Sequence, residues 1–106
     1  LLPLRTLLVI AVVLAAAGYP QTVRTRDVIT GLDAAARRQG TVLHAATRAT
    51  PGGEVTTSGG RVLCAVGLGR SVRAAQSEAY GLVAAIGWPG MQYRSDIGYR
   101  AVARER

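Results

Sequence analysis

Apolar and polar positions follow one another in blocks that predict short strands and one long helix. The longest apolar block runs from Leu7 to Ala17 and contains no polar side chain. Its Val and Ile content favours a fully buried strand over Leu8 to Leu14. A polar connector from Gln21 to Arg26 comes next. The pattern then predicts a short helical turn over Leu32 to Arg38, capped by Gly40.

The middle of the chain has the composition of successive short strands. The segment Thr41 to Ala49 begins with β-forming residues, and Thr-Pro-Gly-Gly at 50–53 supplies the turn of a hairpin into Glu54 to Thr57. After Ser58-Gly59-Gly60, the apolar segment Arg61 to Gly69 predicts the next strand. Three short strands in succession are therefore expected.

The strongest helix signal follows these strands. Apolar residues recur at helical spacing on one face of the segment Val72 to Ile86, namely at Val72, Ala75, Ala79, Val83 and Ile86. Ser71 is the predicted N-cap, and Gly87 ends the helix. Beyond Pro89-Gly90 the pattern predicts a short extended piece and a last helical stretch. Strands followed by one packed helix indicate an α+β domain.

Length and composition limit the fold and the possible partners. A chain of 106 residues with 49% apolar residues suits one domain, spanning 1–106, with a modest core. Because its first residue is Leu1, we expect it to be a piece of a longer protein. Its 13 basic residues, all arginine, exceed its 6 acidic residues and give a formal charge of +7. The arginines are scattered, which argues against a nucleic-acid partner.

Cys64 and His44 are candidates for chemistry. Cys64 is the single cysteine and has apolar neighbours, so we expect a buried thiol in a reducing compartment. A Cys64 nucleophile with His44 as its base is the alternative, although both residues occupy apolar runs, which favours a core role. The pair also falls short of a structural zinc site, which needs about four ligands.

The apolar opening admits two other interpretations. Arg5, the apolar run and Ala15-Ala16-Ala17 together fit a signal peptide with a small-residue cleavage site. A membrane span needs roughly 20 apolar residues, whereas Gly18-Tyr19-Pro20 closes this run early. On these alternatives the chain is a basic, secreted or membrane-tethered module that binds an anionic partner.

Several segments, in order from about Ala11 to Arg104, resemble one family. The similar segments are Gly-Tyr-Pro at 18–20, DVITGL at 27–32, VLHAAT at 42–47, TSGGRVLCAVGLG at 57–69, AQSEAY at 75–80 and YRSDIGYRA at 93–101. Gly-Gly-Arg before a strand, with Arg-x-Asp-Ile-Gly-Tyr-Arg downstream, is the most specific combination. These segments look like the C-terminal domain of the phosphoribosylglycinamide synthetase family.

The resemblance implies a fold and an activity. It implies a small β-rich domain, similar to a barrel-sandwich hybrid, with one main packed helix, at the C-terminus of a cytoplasmic ATP-grasp ligase. Such a ligase uses ATP to join glycine to phosphoribosylamine in purine biosynthesis, and the opening segment is then a core strand rather than a leader.

The resemblance also implies what this chain lacks. ATP and Mg²⁺ are bound by upstream N-terminal and ATP-grasp domains that are absent here, and the chain has neither a lysine nor a Gly-rich phosphate loop. We therefore expect no catalytic residue, no metal ligand and no bound cofactor in this piece, and no activity from it alone. We expect it to pack on the ATP-grasp domain, with no nucleic-acid or membrane partner.

Gly59, Gly60 and Arg61 are the first candidate substrate contacts. Two glycines let backbone amides approach an anion, and the arginine offers a planar fork that suits phosphate oxygens. On the alternative interpretation the glycines shape a turn and Arg61 faces water. Resemblance to sister ATP-grasp enzymes, whose C-terminal domain supplies an arginine to a sugar phosphate, supports substrate contact.

Arg94 and Asp96 are the second candidates. Asp96 lies between Arg94 and Arg100 in sequence, so it is expected either to form an ion-pair network that holds the C-terminal segment or to position Arg94 toward substrate. One departure from the family concerns the connector: members commonly carry glycine where this chain has Gln21 and Arg26. Backbone with positive φ is costly for other residues, so these are predicted positions of strain.

Overall fold

The computed structural model of the protein describes residues 7–104, which form a small α+β domain. Arg5 of the signal-peptide hypothesis, and both ends of the predicted domain 1–106, lie outside the described residues. The elements are, in chain order, β1 (Leu8–Ala15), α1 (Leu32–Ala36), β2 (Thr41–His44), β3 (Thr47–Ala49), β4 (Val55–Thr57), β5 (Arg61–Gly69), α2 (Val72–Ala85) and α3 (Tyr99–Arg104).

Two antiparallel sheets organise the strands. The larger sheet has the order β1-β5-β2, and the smaller one is the β3-β4 hairpin. The hairpin expected around Thr-Pro-Gly-Gly is confirmed, and its turn is closed by the N–H of Thr50 donating to the carbonyl of Glu54 at 2.8 Å. Strand β5 lies in the centre of the larger sheet, as suits the most apolar strand of the middle segment.

Helix α2 covers one face of the larger sheet. Its N-cap is confirmed, because the N–H of Ala74 donates to the Ser71 hydroxyl at 3.0 Å. The helix backbone approaches β5 so closely that a Cβ added at Gly67 would lie 2.2 Å from the carbonyl oxygen of Ala75. Only glycine fits there, so α2 and β5 pack with almost no side chain between them at this point.

The core lies between α2 and the covered face of the sheet. It includes Val12, Leu14, Leu63 and Ala65 from the strands and Leu82 from the helix, all completely buried. The opening segment therefore belongs to the core, as the resemblance implied. No helix within residues 7–104 is long and apolar enough to cross a membrane.

The expectation of a fully buried β1 is wrong. Alternate residues of a strand point to opposite faces, and α2 covers only one of them. Val12 is completely buried, whereas Val9 is 57% exposed and Val13 is 46% exposed. The larger sheet thus has a second, open face that carries apolar side chains.

Two element boundaries differ from the predictions. Helix α1 ends at Ala36 instead of Arg38, because its last hydrogen bonds tighten to i→i−3 spacing and the chain turns before Gly40. The segment Thr41 to Ala49 splits into β2 and β3, which belong to different sheets. The break lies at Ala45 and Ala46, whose N–H groups both donate to the carbonyl of Val62.

The connector holds one of the two predicted strained residues. Arg26 has a φ of 69°, in the left-handed region, and is the one non-glycine residue with positive φ between residues 7 and 104. Gln21 has no such backbone, so that part of the expectation is wrong. The neighbouring Asp27 is buried, accepts two hydrogen bonds from the Arg24 guanidinium and donates its N–H to Thr57 Oγ1 at 3.1 Å. These bonds fix the connector against β4.

Candidate functional site

The loop before β5 brings two glycines and an arginine to the edge of the open face. A Cβ added at Gly60 would lie 2.5 Å from the ring of Tyr19, and one added at Gly59 would lie 2.9 Å from the Cβ of Ala46. Neither glycine has positive φ, so close packing accounts for them rather than a special turn. Their N–H groups donate to no group in the described part of the chain.

Arg61 and Arg94 line the same cleft because Ala15 pairs with the strand of Arg61 and with the segment that contains Arg94. Ala15 lies opposite Arg61 of β5 on one side and forms a bridge with Gln92 on the other. The two arginines consequently line one cleft of about 390 Å³, together with Val13, Ala15, Tyr19, Gln92 and Tyr93. A second cleft of about 640 Å³ continues along Tyr19, Gly60 and Arg61 to Cys64. Of the five predicted site residues, Gly60, Arg61 and Arg94 line these clefts, and Gly59 is the chain neighbour of Gly60. Asp96 lines a different cleft of about 660 Å³, which also includes Arg94 and Arg100.

Arg94 and Asp96 form a forked ion pair on the surface. Arg94 donates from Nε and Nη2 to the two carboxylate oxygens, at 3.0 and 2.9 Å. The hydrogen bond from Arg94 holds the pKa of Asp96 below its usual range, and the same bond raises the pKa of Arg94. Within residues 7–104 Asp96 pairs with no other cation, so the network with Arg100 is not formed.

Arg61 differs from Arg94 in having its charge uncompensated. It is exposed and has no ion-pair partner among residues 7–104. A guanidinium without a carboxylate partner keeps all its donors for a ligand. The geometry therefore favours Arg61 over Arg94 as the group that binds an anion directly.

Two side chains that the sequence analysis did not single out hold the segment of Arg94. Tyr80 of α2 donates its hydroxyl to the carbonyl of Arg94 and accepts the N–H of Ile97 at 2.9 Å. One turn earlier, Gln76 donates its amide to the carbonyl of Ile97 at 2.9 Å. The sequence feature that could have identified them is their i, i+4 spacing, which places both on one side of α2 within the segment AQSEAY. These bonds link AQSEAY to YRSDIGYRA.

Comparison with known proteins assigns these segments to a family. The sequence profile described as "Phosphoribosylglycinamide synthetase, C domain" matches residues 9–100. The chain belongs to this family. The predicted resemblance is confirmed, and the residues that line the two clefts, from Val13 to Arg94, all fall inside the matched region.

Individual phosphoribosylamine–glycine ligases are similar to this chain over most of its length. A phosphoribosylamine–glycine ligase of Pseudomonas putida is 58% identical over 97 residues, which are 92% of this chain and 22% of that protein. One from Neisseria meningitidis serogroup A is 53% identical over 95 residues, 90% of this chain and 22% of that protein. The crystal structure of the Thermotoga maritima ligase matches with a TM-score of 0.70 and 33% identity, covering 79% of this chain and 20% of that one. The chain spans about a fifth of its relatives' length.

The C domain does not bring Cys64 and His44 together. Cys64 lies opposite Leu43 in the sheet and shares the open face with it, whereas His44 lies opposite Leu63 and belongs to the other face. His44 is exposed, with Nδ1 at 2.9 Å from Thr47 Oγ1. The Cys64 thiol is only partly buried, which corrects the expected core role, and this burial raises its pKa. A cysteine nucleophile activated by His44 is excluded.

The described part of the C domain shows no cluster of potential metal ligands. Across residues 7–104, no three side chains of His, Cys, Asp or Glu come together.

Proposed function

We propose that the chain is the C-terminal part of a phosphoribosylamine–glycine ligase and that its clefts hold the phosphate of phosphoribosylamine. In the proposed reaction, ATP phosphorylates the glycine carboxylate, and the substrate's amino group then attacks the acyl phosphate. An amide bond forms and inorganic phosphate leaves. ATP and Mg²⁺ are assigned to the preceding domains of a cytoplasmic enzyme, and the C domain packs on the ATP-grasp domain.

One observation carries this proposal: the unpaired Arg61 guanidinium lies beside the free amides of Gly59 and Gly60, in a cleft that also reaches Arg94. Backbone N–H groups next to an arginine fork form a recognised arrangement for phosphate oxygens. In this arrangement Arg61 binds the phosphate and the glycine amides fix its orientation. Anchoring the phosphate at one end directs the amino group of the sugar toward the ligase centre.

Arg94 has a secondary part in the proposal. Its fork is already engaged by Asp96, so it contributes positive potential to the cleft rather than a second bidentate contact. Asp96 keeps Arg94 in place and acts through it as a positioning residue. A secreted or membrane-tethered binding module has less support, because the segment it requires as leader or anchor provides the core residues Val12 and Leu14.

A graft tests the assignment. The chain replaces the matched segment of the Pseudomonas putida ligase, and the graft and the isolated chain are each assayed for ADP release with ATP, Mg²⁺, glycine and phosphoribosylamine. The graft is expected to turn over, whereas the isolated chain releases no ADP above background, because the proposal assigns ATP and Mg²⁺ to the preceding domains. Steady turnover by the isolated chain, or a folded but inactive graft, would refute the proposal.

A further inference from the structure

The open face of the larger sheet carries four of the eight large hydrophobic side chains that are exposed among residues 7–104, namely Val9, Val13, Leu43 and Leu68. Residues opposite each other in the register share this face, and the set is Val9, Ala11, Val13, Thr41, Leu43, Cys64, Val66 and Leu68. Seven of these eight side chains are apolar and none is charged, in a chain with a formal charge of +7. An uncharged apolar face of this kind marks an interaction surface.

We propose that this open face is the surface on which the preceding domains of the same ligase polypeptide pack. The inference rests on the proposed function and adds the face that is used. In the ligases to which the chain is similar, about four-fifths of the polypeptide lies outside the matched part, given that the match covers 22% of the Pseudomonas putida protein. A C domain in such a protein has a large covalent neighbour at high effective concentration.

The open face is also continuous with the candidate site. Val13 lies on the face and lines both clefts with Arg61, and Cys64 lies on the face and at the end of the larger cleft. A domain seated on the face would therefore wall the clefts that are now open to solvent. The bound phosphate would then lie at the boundary between the C domain and the domain that carries ATP.

A second copy of the chain is the less favourable occupant. Two copies each carrying a formal charge of +7 repel one another. Arg61, at the edge of the face, would place unpaired charge near the same edge of a partner related by symmetry. The preceding domains meet neither obstacle.

Cys64 provides the probe, because it is the single cysteine of the chain and lies on the open face. Its alkylation by iodoacetamide is followed by peptide mass spectrometry in the isolated chain and in the graft. We expect alkylation about tenfold slower or more in the graft, because packing limits access to local opening. Val9→Asp in the graft should restore the rate seen in the isolated chain, and Leu68→Asp should do the same.

Val28→Asp is the matched control. Val28 is also an exposed valine, at 39% exposure, but it lies outside the larger sheet. It should leave the protection of Cys64 unchanged, and all three variants should keep the melting temperature of the isolated chain within a few degrees, since exposed sites tolerate substitution.

Three results separate the possibilities. An active graft whose Cys64 reacts as fast as in the isolated chain overturns the docking proposal and leaves the proposed function standing. An inactive graft with Cys64 protected supports docking while refuting the function. Sedimentation of the isolated chain as a dimer that Val9→Asp dissociates would assign the face to a second copy and overturn the proposal.

Discussion

The hydroxyl of Tyr80 donates a hydrogen bond to the backbone carbonyl of Arg94. This bond joins the main helix to the segment that carries a candidate substrate residue, and the same hydroxyl accepts the N–H of Ile97. The position of Arg94 thus depends on α2, which is itself packed against β5. A substitution on α2 can therefore change the position of Arg94 in the cleft without contacting a ligand.

Tyr80→Phe tests that dependence. Removing the hydroxyl deletes two hydrogen bonds, one exposed and one half-buried, so the free energy of unfolding should fall by about 0.5–1.5 kcal/mol for each bond. In the graft, the Michaelis constant for phosphoribosylamine should rise severalfold with little change for ATP. Tyr99→Phe is the control, since Tyr99 is 69% exposed, lies outside both clefts and its hydroxyl bonds to no described group. Equal behaviour of the two variants would remove the positioning role.

Arg61→Ala is the sharpest test of the cleft. A charge-assisted hydrogen bond contributes about 1.5–3 kcal/mol, so the Michaelis constant for phosphoribosylamine should rise roughly tenfold to a hundredfold in the graft. Arg61→Lys should recover part of the loss, because it keeps the charge and lacks the fork. The constants for ATP and glycine should hardly change.

Arg48→Ala is the control for Arg61, because Arg48 is an exposed arginine on β3 outside the clefts. It should leave all three Michaelis constants unchanged. If Arg61→Ala keeps the constant for phosphoribosylamine and lowers the melting temperature instead, Arg61 has a structural role and the proposed phosphate site is wrong.

Val12→Asp tests β1 as part of the core. Val12 is completely buried, and an unpaired charge there costs several kcal/mol, comparable to the stability of a small domain. The variant should lose its cooperative thermal transition in circular dichroism. Val9→Asp, on the open face of the same strand, should retain it. A Val12→Asp chain that melts like the unchanged chain would restore the leader hypothesis.

A substitution in the connector is expected to raise the stability of the domain rather than lower it. Arg26 has positive φ, so Arg26→Gly relieves backbone strain and should raise the stability by up to about 1 kcal/mol, the strain relieved exceeding the added freedom of the unfolded chain. Gln21→Gly relieves no strain and should lower it by a similar or smaller amount. Chemical denaturation of both variants measures the difference, and a loss of stability in Arg26→Gly would contradict the interpretation.

Local patterns were sufficient for the elements whose signals are local. The bounds of β5 and the Ser71 cap of α2 follow from an unbroken apolar run and from one side chain. The split between β2 and β3 was not predictable, because it depends on Ala45 and Ala46 sharing a carbonyl of Val62 in another strand.

Burial and site geometry were harder to predict for the same reason. Strand β1 is apolar on both faces, so its sequence does not reveal that only one face is covered within this domain. Arg61 and Gly60 were recognisable as candidates from the loop alone. Arg61 lines one cleft with Arg94 because Ala15 pairs with two distant segments, and no local pattern predicts that pairing.

The pairing of β1 with β5 also sets an order of events during synthesis. Leu14 finds its partner only at Leu63, and the helix that covers both begins after Gly69. A ribosome therefore releases the most apolar strand long before the strand and helix that bury it. Until β5 and α2 have emerged, β1 cannot fold by local contacts and offers exposed strand edges and apolar side chains, the features that chaperones bind and that drive aggregation. Folding of this domain during translation must therefore wait until β5 and α2 have both been synthesised.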